Sequence, residues 1–314
     1  MLHRGLLTGF FTLFLALSAC SQKKQECNDA FALNYNDSAK SNTACRYPEQ
    51  TLAPVFIGNL PNKVRETSGL AYVNGLLLTH NDKGGASELY AIEPNTGSLV
   101  ATYTVAGHPN VDWEDLAQSA THVYVADMGN NDGNRQDLRI LKIAKAAFTP
   151  GGAEVQVEAV IDFHYPEQTS FFASSKHNWD AEALLYAQGQ LYVFTKHRLD
   201  GQTALYRIPD NAATHAAERL GSFNPGLRIT AADISANGDT VLLLGYNKDK
   251  TCEVWELSGF SGQQFVSAQK KRYVLGNYSV LGQMEGLVYS ASGRVYISAE
   301  STGNAPARLY RLDF

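Results

Sequence analysis

The chain has 314 residues, of which 44% are hydrophobic and 18% are charged, and its formal net charge at pH 7 is −5. This composition excludes a disordered chain and predicts a globular protein with a full hydrophobic core. The mild acidity argues against a general nucleic-acid-binding protein, which would need a clustered basic surface.

The first twenty residues are predicted to be a targeting segment and not part of the fold. Arg4 precedes an apolar run from Leu6 to Leu17, which is too short to cross a bilayer comfortably. The stretch Leu17-Ser18-Ala19-Cys20 resembles the lipobox of bacterial lipoproteins. That resemblance implies a signal peptide over residues 1–19 and a lipid on Cys20 that anchors the chain in the bacterial cell envelope, at the periplasmic or the outer surface. A plain signal peptide with an incidental cysteine is the alternative.

Residues 20–50 are predicted to form a polar tether with a small cysteine-bounded motif. Between Cys27 and Cys45 the chain contains the stretch Ala32-Leu33-Asn34-Tyr35-Asn36, which resembles a short motif found beside domain boundaries in bacterial extracellular proteins. An exported chain meets an oxidising compartment, so we expect the two cysteines to form a disulfide, the alternative being two free thiols. In the chain-entropy model such a loop closure contributes about 3 kcal/mol.

From residue 51 to residue 314 the pattern is typical of β-strands. Short aliphatic or aromatic runs, such as Val241-Leu242-Leu243-Leu244, alternate with turn signals such as Asn74-Gly75 and Asn237-Gly238. No stretch beyond the leader has convincing helical periodicity. Cys252 lies on one of these predicted strands and is expected to be a buried apolar residue.

Five copies of one pattern follow one another at nearly constant spacing. Each opens with a short motif, of which Asp112-Trp113-Glu114-Asp115-Leu116 is the fullest, and ends with a run such as Arg308-Leu309-Tyr310-Arg311-Leu312. Internal repeats of this kind indicate a repeat architecture, here a β-propeller. The first four copies have a fourth strand, for example Val155 to Phe163, whereas the fifth stops at Phe314 after three.

The missing strand of the fifth copy can come from the N-terminal side, where Pro54 to Gly58 reads as a strand. We therefore predict an all-β fold, a five-bladed β-propeller closed by its N-terminal strand, because closure leaves no open sheet edge. A six-bladed ring is the alternative, and its extra blade would have to lie in the long interval between Glu114 and Glu182.

Alignment of the five copies places one polar residue from each at the same mouth of the central channel. These residues are Ser68, Glu114, Glu182, Thr230 and Glu285. Three carboxylates so close together would repel one another unless they were protonated or shared a cation. Oxygen ligands favour Ca²⁺, which takes about 6–8 oxygens, and the lack of cysteine and histidine at these positions disfavours zinc. The pattern therefore predicts an axial calcium site.

The loops that return to this mouth are polar, whereas those at the opposite mouth are tight turns with few ionisable groups. We therefore predict that the first mouth binds a ligand, and that its basic residues hold an anion. The candidate ligand-binding residues are His80, Asn81, Asn131, Arg135, Lys196, His197, Arg198 and Glu300. Asp82 or Asp127 is the candidate general base toward an attacking water. Taken singly, each of these residues could equally be an ordinary polar loop residue.

The order Ser, Glu, Glu, Thr, Glu resembles the axial calcium ring of the calcium-activated nucleotidases (apyrases), five-bladed propellers in which Ser, Glu, Glu, Ser, Glu come from successive blades. The stretches Ser68-Gly69-Leu70, His80-Asn81-Asp82 and Asp127-Met128-Gly129 also resemble an uncharacterised family of exported bacterial propellers, whose members are often labelled phytase-like or esterase-like. The first resemblance covers the ring and the blade plan from about Ser68 to Phe314, and implies a calcium cofactor. It does not extend to nucleotide-binding loops.

Two classes of function follow. The first is a calcium-dependent hydrolase of a phosphoester-type substrate, and the second is a non-catalytic binding propeller that captures a glycan, a peptide or a protein partner. A weaker third hypothesis is a glycosidase with an acid and a base at Glu114 and Glu285. In each case we expect a monomer that binds no nucleic acid and reaches its membrane through the N-terminal lipid.

Overall fold

The computed structural model describes residues 27–42, 44–303 and 305–314. The predicted signal peptide and the predicted lipid on Cys20 lie outside these residues. Within them, no helix is both long and apolar enough to cross a membrane.

Twenty-three strands make up almost all of the regular structure, and they follow the predicted repeats. Two short strands come first, β1 (Glu49–Thr51) and β2 (Val55–Asn59). The first repeat forms β3 (Thr67–Val73), β4 (Leu76–Asn81), β5 (Glu88–Ile92) and β6 (Leu99–Val105). The second forms β7 (Trp113–Gln118), β8 (His122–Asp127), β9 (Arg139–Ala144), β10 (Glu154–Val155) and β11 (Ala159–His164).

The remaining repeats continue in the same way. The third forms β12 (Ala181–Ala187), β13 (Gln190–Thr195), β14 (Thr203–Pro209), β15 (Thr214–Ala216) and β16 (Glu218–Phe223). The fourth forms β17 (Arg228–Ile234), β18 (Thr240–Tyr246), β19 (Thr251–Ser258) and β20 (Gln269–Asn277), and the fifth forms β21 (Met284–Tyr289), β22 (Val295–Ala299) and β23 (Arg308–Leu312). The described helices are short: α1 (Tyr278–Leu281) and single 3₁₀ turns at Asn62–Val64, Lys145–Ala147 and Phe265–Ser267.

The strands form five sheets, one for each repeat, and each sheet is one blade. In the fifth blade β2 pairs antiparallel with β23, in a register that sets Val55 opposite Arg311 and Asn59 opposite Arg308. The N-terminal strand thus completes the last blade, because the fifth repeat supplies only three strands. This confirms the five-bladed propeller closed by its N-terminal strand, and the six-bladed alternative is wrong.

Three short strands add a parallel fifth member to the outer edge of a blade that is not their own. β10 pairs with β6, β15 pairs with β11, and β1 pairs with β20. The continuous strand predicted from Val155 to Phe163 is therefore wrong in one respect. Its first residue belongs to β10 on the first blade, and only its second half forms β11 of the second blade. These outer strands cover sheet edges that would otherwise be free to pair with other chains.

The hydrophobic core consists of five clusters, one between each pair of neighbouring blades. Between the fifth and first blades, for example, Val288 and Tyr296 pack with Leu77 and Tyr90. Cys252 is buried between the fourth and fifth blades, as expected for a small apolar residue. Each inner strand is covered on both faces, which explains why these strands read as continuous apolar runs and not as alternating ones.

The segment before the propeller is docked onto the fourth blade. A disulfide joins Cys27 to Cys45, which confirms the predicted bridge. Tyr47 packs edge-to-face on Trp255, with ring centroids 5.3 Å apart. The Asp29 carboxylate accepts hydrogen bonds from the Tyr47 hydroxyl at 2.8 Å and from the buried Lys270 ammonium at 2.7 Å. From Cys27 onward the predicted tether is therefore packed against the propeller.

Candidate functional site

The innermost strands of the five blades are β3, β7, β12, β17 and β21, and they line the channel axis. We call the end of the channel where these strands begin the ring mouth, and the opposite end the turn mouth. The five predicted calcium ligands lie at the start of these strands, and all five are buried: Ser68, Glu114, Glu182, Thr230 and Glu285. Whether they bind calcium stays a prediction.

The two hydroxyl members of this ring already bond to the neighbouring blade. The Ser68 hydroxyl donates to the carbonyl oxygen of Glu114 at 2.5 Å, and the Thr230 hydroxyl donates to the carbonyl oxygen of Met284 at 3.0 Å. These bonds join the first blade to the second and the fourth to the fifth. Each hydroxyl oxygen keeps its lone pairs, which remain available as acceptors.

The carboxylates at the ring mouth converge in two overlapping groups. Oxygens of Asp82, Asp112 and Glu114 lie within 4.8 Å of one another, and so do oxygens of Glu114, Asp180 and Glu182. Glu114 belongs to both groups, so it is the centre of the cluster. Asp112 and Asp180 were not among the predicted ligands. Their signal is present in the sequence, because each lies two residues before a ring glutamate, and residues two apart in extended chain point to the same side.

This acidic centre contains a buried lysine. Lys196 forms an ion pair with Glu182, and its ammonium lies 5.6 Å from the centroid of the Tyr246 ring. Burial lowers the pKa of Lys196, but the carboxylates of Glu182 and Glu285 raise it by more, so the net shift is upward. The sequence assigns this lysine to an anion on the rim. In the structure it faces carboxylates and neutralises one of them.

Three cations, Lys196, Lys83 and Arg198, pair with carboxylates here but do not balance the whole cluster. Burial and the neighbouring charge of Glu182 raise the pKa of Glu114 well above its usual range. Burial, followed by the charge of Glu285, raises the pKa of Glu300 to about 9. In addition, one carboxylate oxygen of Asp112, Oδ1, is buried and has no hydrogen-bond partner. Oxygen-only donors, surplus negative charge and an unpartnered oxygen together fit a hard divalent cation.

Gly129 allows the loop after β8 to pass directly over this centre. A Cβ atom at this position would overlap the carboxylates of Glu114 and Asp112. The backbone N–H of Gly129 donates to the carbonyl oxygen of Asp112 at 3.1 Å, which fixes the approach. The close passage leaves room for hydrogen only, so glycine is required here.

Two predicted site residues, Asp127 and Arg135, hold this loop in place. The Asp127 carboxylate accepts the backbone N–H of Asp112 at 3.1 Å and Nη2 of Arg135 at 3.0 Å. Arg135 also donates to the carbonyl oxygen of Gly129 at 2.9 Å and to the carboxylate of Asp137 at 3.1 Å. Both side chains are thus engaged within the loop. Of the two candidate general bases, Asp82 is the one placed in the carboxylate cluster.

Two of the remaining predicted rim residues, His80 and Asn81, lie in the wall of the first blade. His80 is fully buried against Trp113, and burial lowers its pKa to about 4, so its imidazole is neutral. The Asn81 side chain bonds backbone groups of the preceding loop. These contacts support the wall of the ring mouth, and ligand binding by the two residues stays a prediction.

On the opposite side of the ring mouth, three predicted residues are held by their neighbours. Nε of Arg198 donates to Oδ2 of Asp180 at 2.6 Å, and its Nη2 donates to the side-chain oxygen of Asn131. His197 bonds the carboxylate of Asp200 through Nδ1 at 2.8 Å. Arg198 is therefore fixed between the acidic centre and the outer rim.

A cavity of about 700 Å³ opens beside the acidic centre, between the third and fourth blades. Its strongly basic lining residues are Arg198, Arg228, Lys248 and Lys250, against the carboxylates of Asp200 and Asp249. Tyr246 lines the cavity and also contacts Lys196, so the cavity borders the acidic centre. Arg228 and Lys250 were not predicted from the sequence, because only the fold brings their two loops together.

Two buried aspartates tie the inner strands of neighbouring blades together. The Asp115 carboxylate accepts the backbone N–H groups of Leu116 at 2.8 Å, Leu184 at 2.8 Å and Ala232 at 3.3 Å. The Asp233 carboxylate accepts those of Ile234 at 2.8 Å and Tyr289 at 2.7 Å. Together they link the inner strands of the second to fifth blades.

We expect Asp233 to make the stability of the protein depend on pH. Burial raises the pKa of Asp233 from 3.8 to about 7, although two backbone N–H groups and Lys145 oppose this shift. Because the folded pKa is raised, its stabilising contribution is complete below about pH 4 and is lost as the pH rises through about 7. The asparagine in an Asp233→Asn variant does not titrate. The melting temperature of the variant relative to wild type should therefore rise between about pH 5 and about pH 8, and a constant difference would contradict this expectation.

The fold and the site define a five-bladed β-propeller with a buried acidic centre on its axis. No protein-family model matches the sequence, and no curated protein matches it. Solved structures with a similar fold include an oxidoreductase (glucose dehydrogenase) from Thermus thermophilus, at 10% identity and a TM-score of 0.46, over 83% of this chain and 100% of that one.

Two further solved structures resemble the fold of this chain to a similar degree. One is the β-propeller domain of Cps50 (Swd1) from Myceliophteria thermophila, at 13% identity and a TM-score of 0.41, over 83% of this chain and 88% of that one. The other is an exo-β-1,3-galactanase from Phanerochaete chrysosporium with galactose, at 10% identity and a TM-score of 0.47, over 79% of this chain and 60% of that one. Likeness at this level concerns the fold alone, because propellers host many chemistries.

Proposed function

We propose that the protein is a calcium-dependent hydrolase of phosphoester-type substrates, anchored in the bacterial cell envelope. The observation that carries this proposal is the position of the acidic centre, directly beside a cavity whose lining is predominantly basic. A cation held by carboxylates next to an anion-binding cavity is the arrangement that phosphoester hydrolysis requires. The resemblance of the ring to that of the calcium-activated nucleotidases agrees with this reading.

The residues that would hold calcium belong to the two clusters around Glu114, except for Asp82, whose proposed role is to accept a proton. Asp112, with its unpartnered buried oxygen, and Asp180 would join the predicted ring ligands. When bound, calcium would supply positive charge that stabilises the charge developing on a phosphoryl group. The ion would also relieve the repulsion that raises the pKa of Glu114.

The chain's own residues would bind the anion and accept a proton. Arg228 at the start of β17 and Lys248 and Lys250 in the loop after β18 line one side of the cavity and would donate N–H groups to phosphoryl oxygens. Asp82 lies in the carboxylate cluster, and burial raises its pKa. A carboxylate with a raised pKa is a better proton acceptor from an attacking water, which is the role proposed for Asp82.

The test is hydrolysis of phosphoesters by the full chain, with calcium and with a chelator. Suitable substrates are p-nitrophenyl phosphate, a nucleoside diphosphate and inositol hexakisphosphate. Loss of two charge-assisted contacts of about 1.5 kcal/mol each should raise KM by roughly a hundredfold in the double variant Arg228→Ala with Lys248→Ala. Its matched control is Lys271→Ala, a partly exposed lysine on the outer strand β20.

The outcomes separate the hypotheses. Turnover that needs calcium and weakens in the double variant supports the hydrolase. Saturable binding of the anions without turnover would favour the alternative, a non-catalytic binding propeller. Equal KM values in wild type and double variant would leave the basic cavity without a role in substrate binding.

We also propose that a lipid on Cys20 anchors the protein. The support is the stretch Leu17-Ser18-Ala19-Cys20 behind an apolar run. The Cys20→Ser chain should appear in the soluble fraction after cell lysis, whereas wild type sediments with membranes and carries a fatty-acid label. A Cys20→Ser chain that still sediments with membranes would count against the anchor.

A further inference from the structure

A second cavity opens at the turn mouth, at the end of the channel opposite to the acidic centre. It has a volume of about 640 Å³, which lies within the range of about 300–1,000 Å³ usual for small-molecule sites. All five blades contribute to its wall. The lining side chains used below are Tyr72, Gln118, Lys145, Tyr186, Asp233 and Tyr289. The sequence predicts tight turns with few ionisable groups here, but it does not predict the cavity that they enclose.

Three of these side chains are half-buried tyrosines from three different blades. Tyr72 belongs to the first blade, Tyr186 to the third and Tyr289 to the fifth. Tyr186 is held in a stack with Tyr124, with ring centroids 5.2 Å apart and planes inclined by 11°. The cavity therefore has rigid aromatic walls, each with an apolar face and a hydroxyl group that can bond.

The charged lining groups used here are one lysine and one aspartate. The Lys145 ammonium donates to the side-chain oxygen of Gln118 at 2.9 Å, and it forms no ion pair with a carboxylate in the part of the chain that the structure describes. It thus has two further N–H donors to offer. Asp233 is almost fully buried, and each of its oxygens accepts one backbone N–H and retains a lone pair.

We propose that the turn mouth is a binding site for a saccharide unit that bears one carboxylate. The tyrosine rings would pack against the C–H faces of the sugar, and the Lys145 ammonium would pair with its carboxylate. The Asp233 carboxyl group and the side-chain amide of Gln118 would bond its hydroxyl groups. This site is separate from the proposed hydrolase site, because the two cavities share no lining residue.

Other ligand classes fit the cavity less well. A phosphate dianion would meet one lysine and be repelled by Asp233, whereas phosphate sites generally converge several donors. A purely apolar ligand would leave Lys145 and Asp233 desolvated without partners, which is costly. A zwitterionic amino acid would need Asp233 as a lasting counter-ion for its ammonium. Each oxygen of Asp233 already accepts one backbone N–H, which leaves one lone pair on each oxygen for a ligand hydroxyl group.

The test uses the full chain and four probes: glucuronic acid, glucose, inorganic phosphate and alanine. Binding is measured by isothermal titration calorimetry and by ligand-observed nuclear magnetic resonance. We expect glucuronic acid to bind at least about tenfold more tightly than glucose, a difference of about 1.4 kcal/mol that one charge-assisted contact can supply. Lys145→Met should remove this preference and leave glucose binding unchanged. Tyr186→Ala should weaken both sugars, and Tyr72→Leu serves as the second aromatic variant if Tyr186→Ala fails to fold.

The control variant is Lys248→Ala at the ring mouth, which should bind glucuronic acid as wild type does. Binding that Lys248→Ala weakens would place the sugar at the other mouth and overturn the proposal. So would glucuronic acid binding that survives Lys145→Met, stronger binding of phosphate or alanine, or no binding of either sugar at about 50 mM, well above the millimolar range that weak ligands reach. Because phosphoester turnover is measured separately, failure here leaves the proposed hydrolase activity untouched.

Discussion

Removal of calcium is expected to lower the melting temperature of the wild-type protein by roughly ten degrees, and calcium but not magnesium is expected to restore it. A ligand that binds only the folded state stabilises it by about 4 kcal/mol at a thousandfold excess over its Kd. In a chain of this size each kcal/mol shifts the melting temperature by about 2–4 °C. Magnesium should not substitute, because it demands a tighter octahedral arrangement than carboxylates from several blades provide.

The decisive variant is Glu114→Gln, and its effect should have opposite signs in the two conditions. Glu114 is shared by both carboxylate groups, and its side chain receives no hydrogen bond from the described residues. Burial and the charge of Glu182 raise its pKa, so removal of its charge should raise the melting temperature in chelator. The same change should reduce or abolish the rise on adding calcium, because a charged ligand has been replaced by a neutral amide.

Glu182 is a poorer choice for this test. It holds the buried ammonium of Lys196, so its truncation would leave an unpaired buried charge and destabilise the protein for an unrelated reason. Glu154→Gln, on the exposed outer strand β10, is the matched control and should respond to calcium as wild type does. The proposed calcium site would be contradicted by equal melting curves in calcium and in chelator, measured on protein that elemental analysis finds free of metal. In that case the side chains of Lys83, Lys196 and Arg198 would be the cations that balance the ring mouth.

The arrangement of the blades could be predicted because local sequence patterns determine it. Each repeat carries its own apolar strands and turn signals, and the deficit in the last repeat identifies β2 as the closing strand. The positions of the five ring residues could be predicted for the same reason. Alignment of the repeats identifies equivalent positions without any knowledge of the loop conformations. The outer strand β10 was not, because its pairing with β6 joins two repeats and depends on the path of a connection.

The details of the site depend on loop conformation, which a repeat alignment does not determine. Lys196, His197 and Arg198 are consecutive in sequence and look like one basic group. In the structure Lys196 enters the acidic centre, His197 bonds Asp200, and Arg198 bridges toward Asn131. The cavity at the turn mouth was not predicted, for a related reason. Its tyrosines read as strand residues, and its one lysine follows β9, so no single turn revealed the cavity that five blades build.

Asp115→Ala is expected to destabilise the protein by about 3–5 kcal/mol or to prevent folding, because three buried backbone N–H groups lose their acceptor. These belong to Leu116, Leu184 and Ala232, so the loss falls on the inner strands of three blades at once.

The free energy of unfolding of Asp115→Asn should lie between those of Asp115→Ala and wild type. It keeps one acceptor oxygen and removes a charge whose burial raises the pKa of Asp115 well above its usual range, but its amide group faces donors. The measurement is urea unfolding of both variants beside Asp132→Ala, an exposed aspartate on the loop after β8 in the same blade. The exposed variant should unfold within about 0.5 kcal/mol of wild type. If the free energy of unfolding of Asp115→Ala is also close to that of wild type, water or a backbone shift satisfies the three N–H groups. Asp115 is then not what ties the inner strands together.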